Sequence, residues 1–289
     1  MLTIREVLEK ARGYLADNNI PVERLEAELL LAHALNCRRV DLFIRYDQPL
    51  MEQEVEAYRG LLRKRAARMP TAYLIGKKEF FGWEFVVGPG VLIPRPETEL
   101  LVEAVADLLK PYKDEKVKVL DLGTGSGIIA VCLARMFPNL MIYAVDISED
   151  ALKIARENID RHKVNEQVIL LQGDLFAPLL NLTERELFII VTNPPYIPTG
   201  EISKLAPEIA YEPILALDGG SDGLYFYRRI LQKGKDFLSG NGYLLTEIGF
   251  HQADDVKKIA LDNGWFFKAC YHDLAGIQRV MVFSVKERG

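Results

Sequence analysis

An amide, two prolines and an aromatic ring follow one another in the stretch "VTNPPYIP", residues 191–198. The Asn193 side-chain oxygen and the Pro194 carbonyl are hydrogen-bond acceptors, and Pro194 and Pro195 restrict the backbone around them. Two converging acceptors hold both N–H bonds of an NH₂ group, and the Tyr196 ring can cover its planar face. A planar nitrogen held in this way points its lone pair at an electrophile and needs no strong base before attack.

A glycine-rich loop lies in "VLDLGTGSGIIA", residues 119–130, where Gly123, Thr124, Gly125, Ser126 and Gly127 separate a predicted strand from a predicted helix. Glycines allow positive φ and let a ligand approach the backbone closely. The G-x-G-x-G spacing is tighter than the G-x-G-x-x-G of dinucleotide sites. It suits a nucleoside that carries an amino-acid tail and has no pyrophosphate. A plain strand-to-helix turn is the alternative.

Acidic residues end the next two predicted strands. Asp146 follows Gly123 by about 20 residues, which is the spacing of an acid that holds a ribose diol. Asp174 lies in "GDLF", where its carboxylate can accept from the exocyclic amine of an adenine ring. Leu175 can pack on that ring or donate its backbone N–H. For Asp174, a solvated loop acid is the alternative.

The elements that must position these residues alternate between helix and strand from residue 97 onward. Hydrophobic patterning predicts helices over 97–110, 127–137, 148–162, 222–238 and 252–264, and strands over 117–123, 140–146, 167–174, 187–193, 242–249, 265–271 and 278–285. Repeated strand–helix units predict an α/β fold with a mostly parallel, Rossmann-like sheet. The last two strands have no helix between them, which indicates an antiparallel hairpin at one edge. Ligands bind at the carboxyl ends of such strands, so the motifs should share one crevice.

The N-terminal part of the chain has a different pattern. Apolar residues recur at helical spacing through residues 1–72, which predicts a small helical bundle. Aromatic and β-branched residues alternate around glycines over 71–94, which indicates a hairpin, and we assign 73–94 as a β-hairpin linker. Residues 95–289 then form the catalytic domain. The basic run "RKRAAR" (63–68) indicates a solvated helix face, or a contact with a partner.

Composition narrows the function classes. The chain of 289 residues has a net charge of −5, which weighs against binding nucleic acid through phosphates. It has neither a signal-peptide pattern at its N-terminus nor an apolar run of roughly 18 residues, so no membrane role is expected. Three widely spaced cysteines indicate reduced thiols in a cytoplasmic protein, and four histidines lack metal-ligand spacing. We therefore expect no metal site.

Together, the glycine loop, Asp146 and residues 193–196 resemble the class I S-adenosylmethionine-dependent methyltransferases that modify planar NH₂ groups. Such groups are adenine N6 in DNA and glutamine N5 in protein. Residues 76–102 and 211–230 are similar to the peptide chain release factor N5-glutamine methyltransferase family, and so is the helical N-terminal region. The resemblance spans nearly the whole chain. It implies methylation of the glutamine in the Gly-Gly-Gln loop of class 1 release factors, with S-adenosyl-L-homocysteine as the second product.

The resemblance also implies roles for individual residues. It assigns the cofactor to the loop Gly123 to Gly127, to Asp146 and Asn193, and to Leu175, the residue after Asp174. It assigns the substrate glutamine to Asn193, Pro194, Pro195 and Tyr196, and a peptide groove to Arg95, Glu97 and Glu212. For Glu97, ordinary helix-start chemistry behind Pro96 is the alternative. Residues 1–72 would contact the release factor.

Two other classes of protein remain as alternatives. An N6-adenine methyltransferase acting on DNA or RNA would need a basic groove and a base-flipping region, which the acidic composition does not supply in any obvious form. A nicotinamide oxidoreductase or a nucleotide-binding regulator would favour a different glycine spacing. It would also give the Asn-Pro-Pro-Tyr motif no purpose.

Overall fold

A computed structural model describes residues 2–181 and 187–287. The chain divides into two compact units. The first contains Met1–Lys77 and the short segment Ala206–Tyr211, and the second contains Lys78–Leu205 and Glu212–Gly289. The chain therefore leaves the first unit, builds most of the second and returns for six residues.

The first unit is helical. Its helices are α1 (Ile4–Asp17), α2 (Glu23–Ala34), α3 (Arg39–Ile44), α4 (Glu52–Ala66) and α5 (Thr71–Ile75). Thr3 and Glu6 form a reciprocal capping box at the start of α1, which satisfies backbone N–H groups that the first turn leaves unpaired. Apolar residues at helical spacing meet in one core, where the Tyr58 hydroxyl donates to the Ala27 carbonyl at 2.9 Å.

The basic run at 63–68 is only partly a solvated face: Arg63 and Lys64 are exposed, whereas Arg65 and Arg68 turn inward. Arg65 is buried, and its guanidinium contacts Glu26 at 3.2 Å and Glu208 at 3.1 Å. Arg68 also pairs with Glu208, at 3.3 Å, and the Tyr211 hydroxyl donates to the Ala67 carbonyl at 2.6 Å. These contacts lie within the first unit, and they explain why the 206–211 segment belongs to it.

The second unit and the hairpin that leads into it supply all the predicted strands. Its strands are β1 (Lys77–Phe80), β2 (Trp83–Val86), β3 (Val117–Leu122), β4 (Leu140–Asp146), β5 (Val168–Gln172), β6 (Leu187–Thr192), β7 (Leu238–Glu247), β8 (Phe266–His272) and β9 (Gln278–Ser284). Its helices are α6 (Thr98–Leu109), α7 (Ile128–Met136), α8 (Glu149–His162), α9 (Tyr225–Lys233) and α10 (Ala253–Asp262). The hairpin of β1 and β2 is shorter than predicted, because the chain after Pro70 forms α5 instead of extended structure.

The seven-stranded sheet has the order β5-β4-β3-β6-β7-β9-β8. Strands β3 to β7 pair in parallel with their neighbours, and β9 runs antiparallel to both β7 and β8. Alternate residues of the central strands face two separate apolar cores, as Val119 and Leu120 do, so helices cover both faces. The predicted fold class is confirmed.

The strand order also fixes where a ligand can bind. The chain runs from β3 outward through β4 and β5, then continues on the other side of β3 with β6 and β7. The ends of β3 and β6 are adjacent, with Leu122 paired to Thr192. At this reversal of strand order a crevice opens at the carboxyl ends of the strands. The glycine loop and Asn193 therefore begin side by side, as the sequence predicted.

Among the described residues, no helix combines the length and the apolar character that crossing a membrane would require.

Candidate active site

A cavity of about 270 Å³ lies at the carboxyl ends of the parallel strands, within the second unit. It brings together most of the residues that sequence analysis singled out. Those lining it are Arg95, Gly123, Thr124, Gly125, Ser126, Asp146, Asp174, Leu175, Asn193, Pro194 and Pro195. Glu97, Gly127, Tyr196 and Glu212 do not line it, although they were predicted site residues.

The glycine loop needs its glycines for two physical reasons. Gly123, Gly125 and Gly127 all have φ between 56° and 79°, a region that side chains disfavour. Gly127 also lies against helix α8, where an added Cβ would be 3.1 Å from the Ala155 Cβ. Gly127 therefore lets α7 start close to α8, and this packing shapes the wall of the cavity.

Gly127→Ala should lower the free energy of unfolding by about 2 kcal/mol, because it adds a left-handed alanine and crowds Ala155. Urea denaturation of the full chain measures this. Gly200→Ala is the control, since Gly200 has an ordinary φ and nothing within 4 Å of an added Cβ. Equal stabilities of the two variants would contradict the packing argument.

Asp146, the last residue of β4, holds its carboxylate in a fixed orientation. Its Oδ2 accepts from the Gly125 N–H at 2.8 Å and its Oδ1 from the Ser148 N–H at 2.9 Å. Burial raises the pKa of this carboxyl above its ordinary value, and the two N–H bonds oppose that shift. Each oxygen keeps a further lone pair for a donor in the cavity.

Sequence analysis missed a second acid beneath the same loop. Asp121 in β3 is fully buried, and its Oδ2 accepts from the Thr124 hydroxyl at 2.6 Å. Its Oδ1 has no hydrogen-bond partner among the described residues. Burial raises the pKa of Asp121 to about 7, and the nearby Asp146 charge adds to the shift. The available signal was an acid among the apolar residues Val119, Leu120 and Leu122 of the strand.

Asp121→Asn should raise the free energy of unfolding at pH 8 by roughly 1–3 kcal/mol. The folded pKa lies above the unfolded value of 3.8, so folding favours the protonated form and the ionised form costs stability above pH 7. The advantage of the variant should shrink as the pH falls from 7 to 5. Urea denaturation at pH 8 and pH 5 tests this, with the exposed Asp114→Asn as control. A gain in the free energy of unfolding that is the same at pH 8 and pH 5 would contradict the raised pKa of Asp121.

Asp174 has a partner that the sequence did not predict. Arg229 donates to both carboxylate oxygens, at 3.1 and 2.6 Å, and both residues line the cavity. Leu175 adopts a φ of 49°, which is unusual for a non-glycine residue, and also lines the cavity. The turn after β5 thus presents an apolar side chain beside an ion pair.

The Asn-Pro-Pro-Tyr turn is divided between the cavity and the interior. Asn193, Pro194 and Pro195 line the cavity, whereas the Tyr196 ring packs beneath it. The Tyr196 carbonyl accepts from the Gln252 amide at 2.9 Å, and burial raises the pKa of the Tyr196 hydroxyl.

Three glycines surround Tyr196 and make this packing possible. An added Cβ at Gly219 would lie 2.8 Å from the Tyr196 Cα, and one at Gly249 would lie 2.9 Å from its ring. At Gly223 an added Cβ would collide with the Tyr196 carbonyl oxygen. We call these three residues the glycine collar. Because these positions carry no side chain, the Asn-Pro-Pro-Tyr turn packs closely against the chain that follows.

An ion pair that we call the latch joins the half-buried Arg95 to the buried Glu212 next to the cavity. One Glu212 oxygen accepts from Arg95 at 2.6 Å, and the other accepts from the Ile93 N–H at 3.0 Å. Both Glu212 oxygens therefore bind the Ile93–Arg95 loop. Glu212 lies outside the cavity, whereas Arg95 lines it. Glu97 is also outside, in the turn that precedes α6.

Two further polar residues that the sequence did not indicate lie behind Asn193. The Asn193 amide nitrogen is 3.2 Å from the Thr98 hydroxyl, which in turn donates to Glu247 at 2.7 Å. Thr98 and Glu247 are 149 residues apart in the chain, so no local pattern could have joined them. In the part of the chain that the structure describes, no cluster of His, Cys, Asp or Glu is arranged to hold a metal ion.

Comparisons with known proteins identify both domains of the chain. The family model "PrmC N-terminal domain" matches residues 6–76, and "Methyltransferase small domain" matches residues 96–212. A methyltransferase structure from Pyrococcus furiosus superposes with a TM-score of 0.52 over 77% of this chain and 98% of that one, at 21% identity, which supports the fold.

Two curated relatives extend the match over nearly the full length. The release factor glutamine methyltransferase of Geobacter sulfurreducens is 44% identical over 280 residues, covering 96% of this chain and 95% of the relative. The enzyme of the same name from Thermodesulfovibrio yellowstonii is 41% identical, covering 90% and 91%. With both domain models matched and these identities along almost the whole chain, the protein belongs to the release factor glutamine methyltransferase family.

Proposed function

We propose that the protein transfers a methyl group from S-adenosylmethionine to the side-chain amide N5 of the glutamine in the Gly-Gly-Gln loop of class 1 peptide chain release factors. The observation that carries the proposal is the position of the Asn193 and Pro194 acceptors, in the same cavity as the glycine loop and Asp146. The names of the full-length relatives supply the substrate class.

The cavity fits the cofactor that class I methyltransferases use. The glycine loop allows close approach of a ligand, and the fixed Asp146 carboxylate suits a ribose diol. Asp174 and Leu175 would lie beside the adenine ring. The acids Asp121 and Asp146 favour a cationic ligand. When bound, S-adenosylmethionine supplies an electrophilic methyl group and leaves as S-adenosyl-L-homocysteine.

The chain's own residues then act on the substrate amide. The Asn193 oxygen and the Pro194 carbonyl accept its two N–H bonds, and they stabilise positive charge that develops on nitrogen as the new N–C bond forms. The amide nitrogen is weakly basic because its lone pair is delocalised, and orientation replaces a strong base. After transfer, the nitrogen loses one proton to water or to a nearby acceptor. Tyr196 supports the turn and Pro195 stiffens it.

The remaining assignments follow from the same proposal. The helical domain, residues 1–72, would contact the release factor. The hairpin at 73–94 would link this domain to residues 95–289, which would catalyse the methyl transfer. Arg95, Glu97 and Glu212 would shape the peptide groove, Glu212 through its latch to Arg95. Release factors act in translation, so this substrate implies a cytoplasmic enzyme.

Adenine N6 is the alternative acceptor, because the same two acceptors suit any planar NH₂ group. Incubation with methyl-labelled S-adenosylmethionine, a purified class 1 release factor and DNA separates the two. We expect label on the release factor, and no label on a release factor whose Gly-Gly-Gln glutamine is replaced by alanine. Label on DNA alone would overturn the proposal.

A further inference from the structure

A chain of three buried or half-buried polar side chains ends at Asn193. Thr98, the first residue of α6, is 3% exposed, and Glu247, the last residue of β7, is 2% exposed. The Thr98 hydroxyl donates to Glu247 Oε2 at 2.7 Å and accepts from Asn193 Nδ2 at 3.2 Å. Thr98 and Asn193 both line the cavity, and Glu247 lies behind them.

The direction of these hydrogen bonds is set at the Glu247 end. Above pH 7 or so the Glu247 carboxylate is ionised and can only accept, so the Thr98 hydroxyl donates its single proton to Glu247. The Thr98 oxygen is then left with lone pairs only, and the group facing it must be a donor. The Asn193 side chain therefore turns its NH₂ group inward. Because the amide oxygen and nitrogen lie on opposite sides of the group, the Asn193 oxygen turns toward the cavity.

The groups around Glu247 bear on this direction. The pKa of Glu247 is raised to about 7, chiefly by burial. The Glu97 charge acts in the same direction, and hydrogen bonds from Thr98 and Asn193 together with the Arg279 charge oppose it. The hydroxyl of Thr246, the preceding residue, donates to the Glu247 backbone carbonyl at 2.9 Å and not to the Glu247 carboxylate.

We propose that Thr98 and Glu247 are positioning residues that fix the Asn193 amide with its oxygen toward the substrate NH₂ group. The inference rests on the proposed function, since it concerns the acceptor that holds the substrate amide. A flipped Asn193 would point a donor at a donor and leave one substrate N–H bond without its acceptor. Asn193 is also assigned to the cofactor, but the glycine loop and Asp146 supply the other cofactor contacts, so we expect cofactor affinity to change much less than the methyl-transfer rate.

Thr98→Val tests the inference, because valine keeps the shape of threonine and removes the hydroxyl. We expect kcat for release factor methylation to fall by roughly 10–100-fold, the effect of losing one aligned hydrogen bond at the reacting group. The KM for the release factor should change less than kcat, and the cofactor dissociation constant should stay within about threefold of wild type. Thr98→Ser restores the hydroxyl and should recover most of the activity.

Two further variants complete the experiment. Thr246→Val is the matched control, since it removes another buried hydroxyl from the neighbouring position without touching Asn193, and it should keep the wild-type kcat. Glu247→Gln keeps the shape of the side chain but can donate as well as accept, so it should lower kcat without weakening the cofactor. It also carries the test if Thr98→Val fails to fold.

The outcomes separate this inference from the proposed function. If wild-type enzyme leaves the release factor unlabelled, the proposed function itself is wrong. If wild type is active and the kcat of Thr98→Val equals that of Thr246→Val, the positioning role is overturned. It is overturned equally if Thr98→Ser fails to recover activity, or if cofactor affinity falls in proportion to kcat. A selective loss of kcat with serine rescue supports it.

Discussion

Replacing Asn193 with alanine should reduce methyl transfer by roughly 10³-fold and leave the cofactor bound with modest weakening. The variant removes one of the two acceptors that orient the substrate nitrogen, and losing a single preorganised group at the reacting centre costs about 10²–10³ in kcat. The effect should reach the upper end, because Asn193 also fills part of the cavity wall. Single-turnover labelling of a purified release factor measures it.

Asn139→Ala is the control, since Asn139 is exposed and donates only to the Lys113 carbonyl. It should match wild type in the rate of methyl transfer and in cofactor affinity. Normal turnover by Asn193→Ala would remove the two-acceptor mechanism. A cofactor affinity that falls as far as the rate would instead assign Asn193 mainly to the cofactor.

Asp146→Ala should weaken cofactor binding by roughly 100-fold, because two hydrogen bonds to a charged acceptor are lost together. Calorimetry with S-adenosyl-L-homocysteine measures the change directly, without turnover. The affinity of wild type should also fall at mildly acidic pH, since burial raises the pKa of Asp146 and the protonated group loses acceptor capacity.

The exposed Asp150→Ala on the next helix serves as control and should bind the cofactor normally. Asp146→Asn should lie between wild type and Asp146→Ala, because one oxygen acceptor remains. An affinity of Asp146→Ala equal to that of wild type would show that Asp146 does not hold the ribose.

Much of the catalytic unit could be predicted because its elements obey local rules. Strand β4 begins and ends where the sequence predicted, at Leu140 and Asp146, since apolar residues run unbroken between two polar turns. Helix α8 begins one residue after its predicted cap, Ser148, which accepts from the Ala151 N–H. The crevice followed from these elements, because the adjacent ends of β3 and β6 bring their loops together.

Sequence patterns did not predict the features that depend on contacts between distant parts of the chain. Thr71–Ile75 has residues typical of a strand, yet it forms α5 because Pro70 starts a helical turn there. Arg229 pairs with Asp174 from 55 residues away, and the chain behind Asn193 spans an even longer separation. Asp121 was passed over because its neighbours predict a plain buried strand. Hydrophobic periodicity contains no information about whether both oxygens of a buried carboxyl group have hydrogen-bond partners.

The block at 211–230 shows the same limit. Its similarity to the family pointed to the substrate, but no sequence pattern explained its glycines. Gly219 and Gly223 belong to the glycine collar and allow the backbone to pass close to Tyr196. The block therefore serves the Asn-Pro-Pro-Tyr turn by packing against it, and the two sequence motifs form one structural unit.

The six-residue return of the chain to the first unit has a consequence for synthesis on the ribosome. Arg65 is complete early in translation, but Glu208 lies 143 residues downstream. At about 5–20 residues per second, the intervening chain takes on the order of ten seconds to make. During that interval the nascent helical unit has Glu26 alone as the ion-pair partner of Arg65. The contacts with Glu208 can form only after strands β3 to β6 have been synthesised, so the first unit cannot complete its ion pairs until several elements that follow it in the sequence have been made.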